Sequence, residues 1–138
     1  MTHQLNGDIG KRLRGAGLRP TRQRLGLARL LFEGPDRHVT AEALHAEALL
    51  AGLPVSLATV YNTLHQFTTA RLMREVLVDG AKTYFDTNTG DHHHFYLVDR
   101  GEVSDIPAND VALACIPQAP EGTAIERVDV VVRVSKRR

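Results

Sequence analysis

The sequence predicts an α+β fold in two parts. An N-terminal winged helix-turn-helix domain is expected over residues 1–86, a small C-terminal α/β dimerisation domain over 92–138, and a hinge at 87–91. Three observations carry this. Helix-like segments with capping residues at their starts come first and lead into a β-hairpin signal. Asp86-Thr87-Asn88-Thr89-Gly90-Asp91 is then a polar, turn-rich stretch. Beyond it, a few short strand patterns flank one helical pattern, and so small a sheet leaves an edge that seeks a partner.

Taken in order, residues 8–17 read as a short helix closed by Gly15 and Gly17. Pro20-Thr21 starts the next helix, with Leu25, Ala28, Leu31 and Phe32 as its apolar stripe, and Gly34-Pro35-Asp36 stops it. Thr40 caps a helix that carries Glu42 in its first turn, where the helix dipole favours a carboxylate, and turns Leu44, Ala48 and Leu49 inward. Gly52-Leu53-Pro54 breaks it. Ser56 opens a further helix whose Leu57, Val60, Leu64 and Phe67 make one buried stripe. Its opposite face presents Thr59, Asn62, Thr63 and Gln66, with Tyr61 and His65 at the margins. Met73–Val78 and Lys82–Asp86 form a hairpin around Asp79-Gly80. Past the hinge, His94–Asp99 and Glu102–Ile106 read as strands about Arg100-Gly101, Ala108–Ile116 as a helix, and Ala124–Val134 as a long strand.

The net charge of +1 hides a segregation. Residues 1–29 hold seven basic side chains against Asp8 alone, whereas residues 86–132 hold nine carboxylates against Arg100 and Arg127. A basic first quarter suits a polyanion and an acidic second half suits a cation. The single cysteine, Cys115, allows no intramolecular disulfide and no paired Cys-x-x-Cys zinc site, which fits a reducing cytoplasm. No run approaches the ~20 apolar residues of a membrane span, and no secretory signal is read at the start, so a cytoplasmic protein without a membrane partner is expected.

Two groups of residues carry chemistry. The polar face of the Ser56 helix has hydrogen-bonding side chains and no charge. A merely solvated face usually carries Lys and Glu, so this one reads as a surface for base edges in the major groove. Asn62 and Gln66 suit adenine, Tyr61 and Thr63 suit phosphate or a thymine methyl, and Arg12, Arg14, Arg19, Arg22 and Arg24 suit phosphates or the minor groove. The second group is Asp91-His92-His93-His94. In an extended segment His92 and His94 share one face and His93 takes the other, a spacing common among metal ligands and compatible with haem. His38, Asp86 and Asp105 lie at element ends, where ligands can converge. Histidine and carboxylate without thiolate suit Fe²⁺, Mn²⁺ or Zn²⁺. A metal-dependent hydrolase is the alternative of another class. It finds no HExxH, no HxHxDH and no evident base with an orienting partner, so no enzyme is expected.

In order and spacing, Leu18-Arg19-Pro20-Thr21-Arg22, His38-Val39-Thr40-Ala41, Ala58-Thr59-Val60-Tyr61, Phe67 and the histidine run resemble the ferric uptake regulator superfamily over about residues 10–134. With its DHHHFY run and no Cys-x-x-Cys pair, the chain most resembles the iron response regulator branch of alphaproteobacteria, which senses haem. The resemblance implies a DNA-binding transcriptional regulator, a repressor of iron and haem homeostasis genes that responds to metal or haem. Manganese-, zinc- and peroxide-responsive regulators of the same superfamily are the alternatives. It implies a homodimer on an inverted-repeat operator in double-stranded DNA, with higher oligomers on DNA also open. DNA contacts are expected from Arg19, Arg22, Thr59, Tyr61, Asn62, Thr63 and Gln66. The family's inter-domain metal site would map to His38, Asp86, His94 and Asp105, and a haem or second metal site to Asp91, His92 and His93. That second site lacks its downstream ligands around Ala112 and Val128. Leu97 and Arg100 stand where a structural zinc's first cysteines would be, so no Cys₄ zinc is implied. Asn62 replaces an arginine that many iron-uptake repressors carry, so the operator should differ from theirs. Cys115 is followed by Ile116, not proline, so haem would bind through histidine. A small metal ion closing the inter-domain site should favour DNA binding, and bulky haem should weaken it.

Overall fold

The computed structural model describes residues 2–79 and 82–137, with side chains from 8–78 and 82–137. The chain divides into two compact units, Met1–Thr89 and Gly90–Arg138.

The first unit is four helices and a small sheet. Helix α1 spans Thr2–Gly15, longer than the expected 8–17 segment at its start and shorter at its end. Ile9 and Leu13, one turn apart, are its buried contacts. Gly17, at φ 80°, turns the chain out of the helix, and Leu18 N–H returns to the Leu13 carbonyl at 2.8 Å. Helices α2 (Arg22–Phe32), α3 (Ala41–Leu50) and α4 (Leu57–Thr69) each begin at the hydroxyl residue expected to cap them. Thr21, Thr40 and Ser56 accept the backbone N–H three residues on, satisfying a donor the helix itself cannot pair. Between α2 and α3 lies a two-residue strand, β1 (His38–Val39). Strands β2 (Arg74–Asp79) and β3 (Lys82–Asp86) follow, and the sheet runs β1-β3-β2 with antiparallel neighbours. The expected hairpin is therefore present, while residues 80–81 of its turn lie outside the described ones.

The core of this unit joins Leu27, Ala28 and Leu31 of α2, Leu44 and Ala48 of α3, Val60, Leu64 and Phe67 of α4, and Phe85 of β3. Leu49 and Leu57, expected inside, are 53% and 36% exposed because each sits at an end of its helix stripe. Leu27 takes the place that the expected α2 stripe left out. Where α2 passes the α3–α4 connection, Gly26 has no room to spare. A Cβ there would lie 2.6 Å from Leu53 Cδ2 and 3.0 Å from Cδ1. Gly26→Val is expected to cost about 1–3 kcal/mol by overpacking, read as a lower urea midpoint at unchanged slope. Unchanged stability would mean that Leu53 yields freely.

The second unit is a three-stranded sheet in the order β5-β4-β6, from β4 (His92–Leu97), β5 (Glu102–Pro107) and β6 (Val131–Val134). β4 is antiparallel to β5 and parallel to β6. Two expectations fail here. Ala108–Ile116 is not a helix; only Ala108–Asp110 forms a 3₁₀ turn, and Val111 is already extended at φ −123°. Leu113 and Ile116 are 43% and 49% exposed, so a helix there would have no face to bury, and a short helix without packing is marginal in water. The Ala124–Val134 strand shrinks to four residues because β4 offers pairing only from His94 to Leu97. Among the described residues, no helix is long and apolar enough to cross a membrane.

Candidate metal centre and nucleic-acid interface

Strand register builds a histidine–carboxylate group in each unit. In the first, β1 pairs with β3 so that His38 stands opposite Asp86. His38 Nε2 lies 3.1 Å from Asp86 Oδ2, and Asp86 is fully buried. The other carboxylate oxygen of Asp86 accepts the Asn88 N–H at 2.9 Å, which fixes the rotamer. Behind the pair, Thr87 Oγ1 accepts the Arg37 N–H at 2.8 Å and tethers the end of β3 to the segment leading into β1. Arg74, also buried, stands opposite Asp86 on the β2 side, a neighbour that no local pattern singles out.

In the second unit, β4 alternation puts His92 and His94 on one face, and the β4–β5 register sets Asp105 opposite His94. Asp105 Oδ1 is 3.2 Å from His92 Nε2 and 3.7 Å from His94 Nε2, and the two imidazole rings are 4.5 Å apart. His92 Nδ1 donates to the Gly90 carbonyl at 2.6 Å, since a carbonyl can only accept. In the neutral ring the Nε2 lone pair then faces the carboxylate side, the arrangement of a metal-ligating histidine steadied by a backbone oxygen. His93 points the other way. Its Nδ1 accepts the Val130 N–H at 3.0 Å and so fastens the strand that becomes β6.

These placements redistribute the expected sets. His92, assigned with Asp91 and His93 to a second site, belongs by geometry with His94 and Asp105. Asp91 is exposed and His93 serves the sheet. The period of two had already put His92 beside His94.

On α4 the buried residues are Val60, Thr63, Leu64 and Phe67, spaced i, i+3, i+4 and i+7. Thr63 is 4% exposed and therefore leaves the outward face on which the sequence reading put it, because it sits between Val60 and Phe67 on the core stripe. The outward residues are Ala58, Asn62, His65, Gln66 and Thr69. Thr59 is half-buried, and its Oγ1 accepts the Ser56 hydroxyl at 2.9 Å. Tyr61, also half-buried, donates its hydroxyl to Glu42 Oε1 at 2.6 Å and so braces α4 against α3. That hydrogen bond holds the Glu42 carboxyl below its ordinary range and pushes the Tyr61 hydroxyl above its own. The brace therefore weakens as pH falls through the lowered Glu42 value and again at strongly alkaline pH. His65 Nδ1 lies 3.1 Å from Glu75 Oε1, linking α4 to the β2–β3 wing.

Arg19 and Arg22 are exposed beside α2, as are Lys11 and Arg14 on α1. Arg12 stacks its guanidinium 4.3 Å from the centre of the Phe32 ring. Arg24 turns inward to α4. Its Nε and Nη2 donate to Gln66 Oε1 at 3.2 and 3.0 Å, and its Nη1 donates to the Arg19 carbonyl at 3.0 Å.

Comparison with known proteins agrees with this architecture. The ferric uptake regulation protein of Vibrio anguillarum is 35% identical over 97 residues, covering 70% of this chain and 65% of that protein. The protein of the same description from Pseudomonas aeruginosa is 39% identical over 92 residues, covering 66% of this chain and 69% of its own. The chain thus spans just under two thirds of the Vibrio relative. Among solved structures, the manganese-bearing ferric uptake regulator of Pseudomonas aeruginosa superposes with a TM-score of 0.72 at 29% identity, over 94% of this chain and 98% of that one. Residues 15–132 match the ferric uptake regulator family, and the chain belongs to that family.

Proposed function

We propose that the chain is a metal-responsive, sequence-specific DNA-binding regulator that works as a homodimer, with its effector ion held jointly by His38, Asp86, His92, His94 and Asp105. The observation that carries this reading is the pair of register-built groups, one in each unit, each setting imidazole against carboxylate. Within each group the donor atoms lie within 4.8 Å of one another. The donor set fits the ion. Nitrogen and carboxylate oxygen without sulfur suit Fe²⁺, Mn²⁺ or Zn²⁺, and the His92–Gly90 hydrogen bond presents Nε2 for ligation. Manganese in the solved Pseudomonas relative supports one ion of that range, Mn²⁺. A bound divalent ion would supply a fixed positive centre and a fixed coordination distance. Asp86 and Asp105 then balance its charge, while the imidazoles hold its position from strands β1 and β4.

DNA contact falls to α4 and the flanking arginines. Asn62 and Gln66 present amides, and Arg19 and Arg22 present charge to phosphates. Dimerisation falls to the second unit, where Phe95, Val98, Leu113, Ile116, Ile125, Val128 and Val132 are exposed. Membership of a regulator family argues against an enzyme, and a cytoplasmic site of action follows from binding DNA. The finer reading is a repressor of iron and haem homeostasis genes, similar to the alphaproteobacterial iron response regulator. It rests on the sequence resemblance and the histidine run, with haem as a second effector at the Asp91, His92 and His93 end of that run.

The test is operator binding. Duplexes selected from a random library by the Mn²⁺-loaded protein should be bound as inverted repeats by a dimer, with an affinity falling steeply with salt. Chelation should weaken that binding about 5–150-fold. A haem titration followed by absorbance should give a saturable Soret shift and loss of the operator complex. Equal affinity for selected and random duplexes, with Mn²⁺ or without, would refute the regulator reading.

A further inference from the structure

The clasp between Arg24 and Gln66 carries an inference about what α4 reads. A guanidinium has five N–H donors and no acceptor, so whatever faces it must be an acceptor. Gln66 therefore has to turn its carbonyl oxygen toward Arg24, and Oε1 meets both Nε and Nη2 there. Arg24 is itself held, because Nη1 donates to the Arg19 carbonyl and its backbone N–H donates to Thr21 Oγ1 at 3.2 Å. A glutamine free to rotate can offer oxygen and NH₂ together, which matches the acceptor and donor of adenine. With its oxygen engaged, Gln66 keeps only the NH₂ for a ligand. It lies exposed one turn beyond Asn62, on the same outward face of α4.

We propose that Arg24 is a positioning residue that converts Gln66 from a reader of adenine into a donor that selects guanine, whose O6 and N7 both accept, over adenine, whose single N7 acceptor stands beside the N6 donor, with thymine O4 second. The inference rests on the DNA-binding reading above and deepens it. Arg24, which the sequence suggested as a phosphate contact, sets specificity through a neighbour. A lysine in its place keeps the positive charge but cannot hold the amide by two N–H bonds to one oxygen.

The experiment compares base preference at every operator position, by sequencing duplexes bound from a random library, for the wild type, Arg24→Lys, Gln66→Ala and Gln66→Glu, all Mn²⁺-loaded. In the wild type, one position per half-site should favour guanine over adenine by about tenfold. Arg24→Lys should reduce that ratio to within about twofold by admitting adenine, with other positions unchanged. Gln66→Ala should remove the preference. Gln66→Glu keeps one oxygen for Arg24 and turns an acceptor outward, so its preference should invert toward cytosine, whose N4 donates. If Arg24→Lys lowers affinity evenly on all duplexes and leaves every base preference intact, Arg24 is a phosphate contact and the inference falls. It falls as well if Gln66→Glu keeps the guanine. Absence of any sequence preference in the wild type would refute the regulator reading and this inference together.

Discussion

Phe67→Ala should destabilise the N-terminal unit by about 3–5 kcal/mol, a large part of the 5–15 kcal/mol that holds a typical domain folded. Phe67 is fully buried on the inner stripe of α4, and its ring stands 5.8 Å from that of Phe32 on α2. Its loss leaves a cavity where α2 and α4 meet, on the helix whose other face carries Asn62 and Gln66. Urea unfolding followed by circular dichroism should show the lower midpoint. Operator affinity should drop in parallel at temperatures where part of the unit has melted. A loss below about 1 kcal/mol would mean that neighbouring side chains collapse into the space, contrary to a rigid α2–α4 contact.

Asp105→Ala should uncouple operator affinity from metal while leaving the fold in place. Asp105 is a third exposed, so its truncation leaves no buried cavity, yet its Oδ1 faces both His92 and His94. The wild type is expected to gain about 5–150-fold in operator affinity on adding Mn²⁺, a coupling of about 1–3 kcal/mol. The variant should keep the metal-free affinity at both conditions. Fluorescence anisotropy of a labelled operator reads the difference. A variant with the full wild-type gain would exclude Asp105 from the effector site.

What the sequence disclosed was local. Thr21, Thr40 and Ser56 announced three helix starts because a cap acts on the backbone within three residues. The face shared by His92 and His94 followed from strand alternation alone. What depends on contacts distant in sequence was not legible. The register that sets His38 against Asp86, or Asp105 against His94, is fixed by how strands pair. The family resemblance anticipated those partners, and spacing did not. Thr63 was misplaced because its polarity outweighed its position between Val60 and Phe67. The helix expected at Ala108–Ile116 had suitable residues but nothing to pack against. The Arg24–Gln66 clasp links α2 to α4, and no pattern within either helix signals it.

In the proposed function one ion is held by two groups, His38 with Asp86 and His92 with His94 and Asp105. Equilibrium dialysis of Mn²⁺ against the wild type, His38→Ala and His92→Ala tests it most directly, with circular dichroism to show that each variant is folded. One Mn²⁺ per chain is expected in the wild type, with a loss of affinity of about 10–100-fold or more in each variant, although the two substitutions lie in different units. Two independent Mn²⁺ sites in the wild type, or one variant binding Mn²⁺ with wild-type affinity, would contradict it.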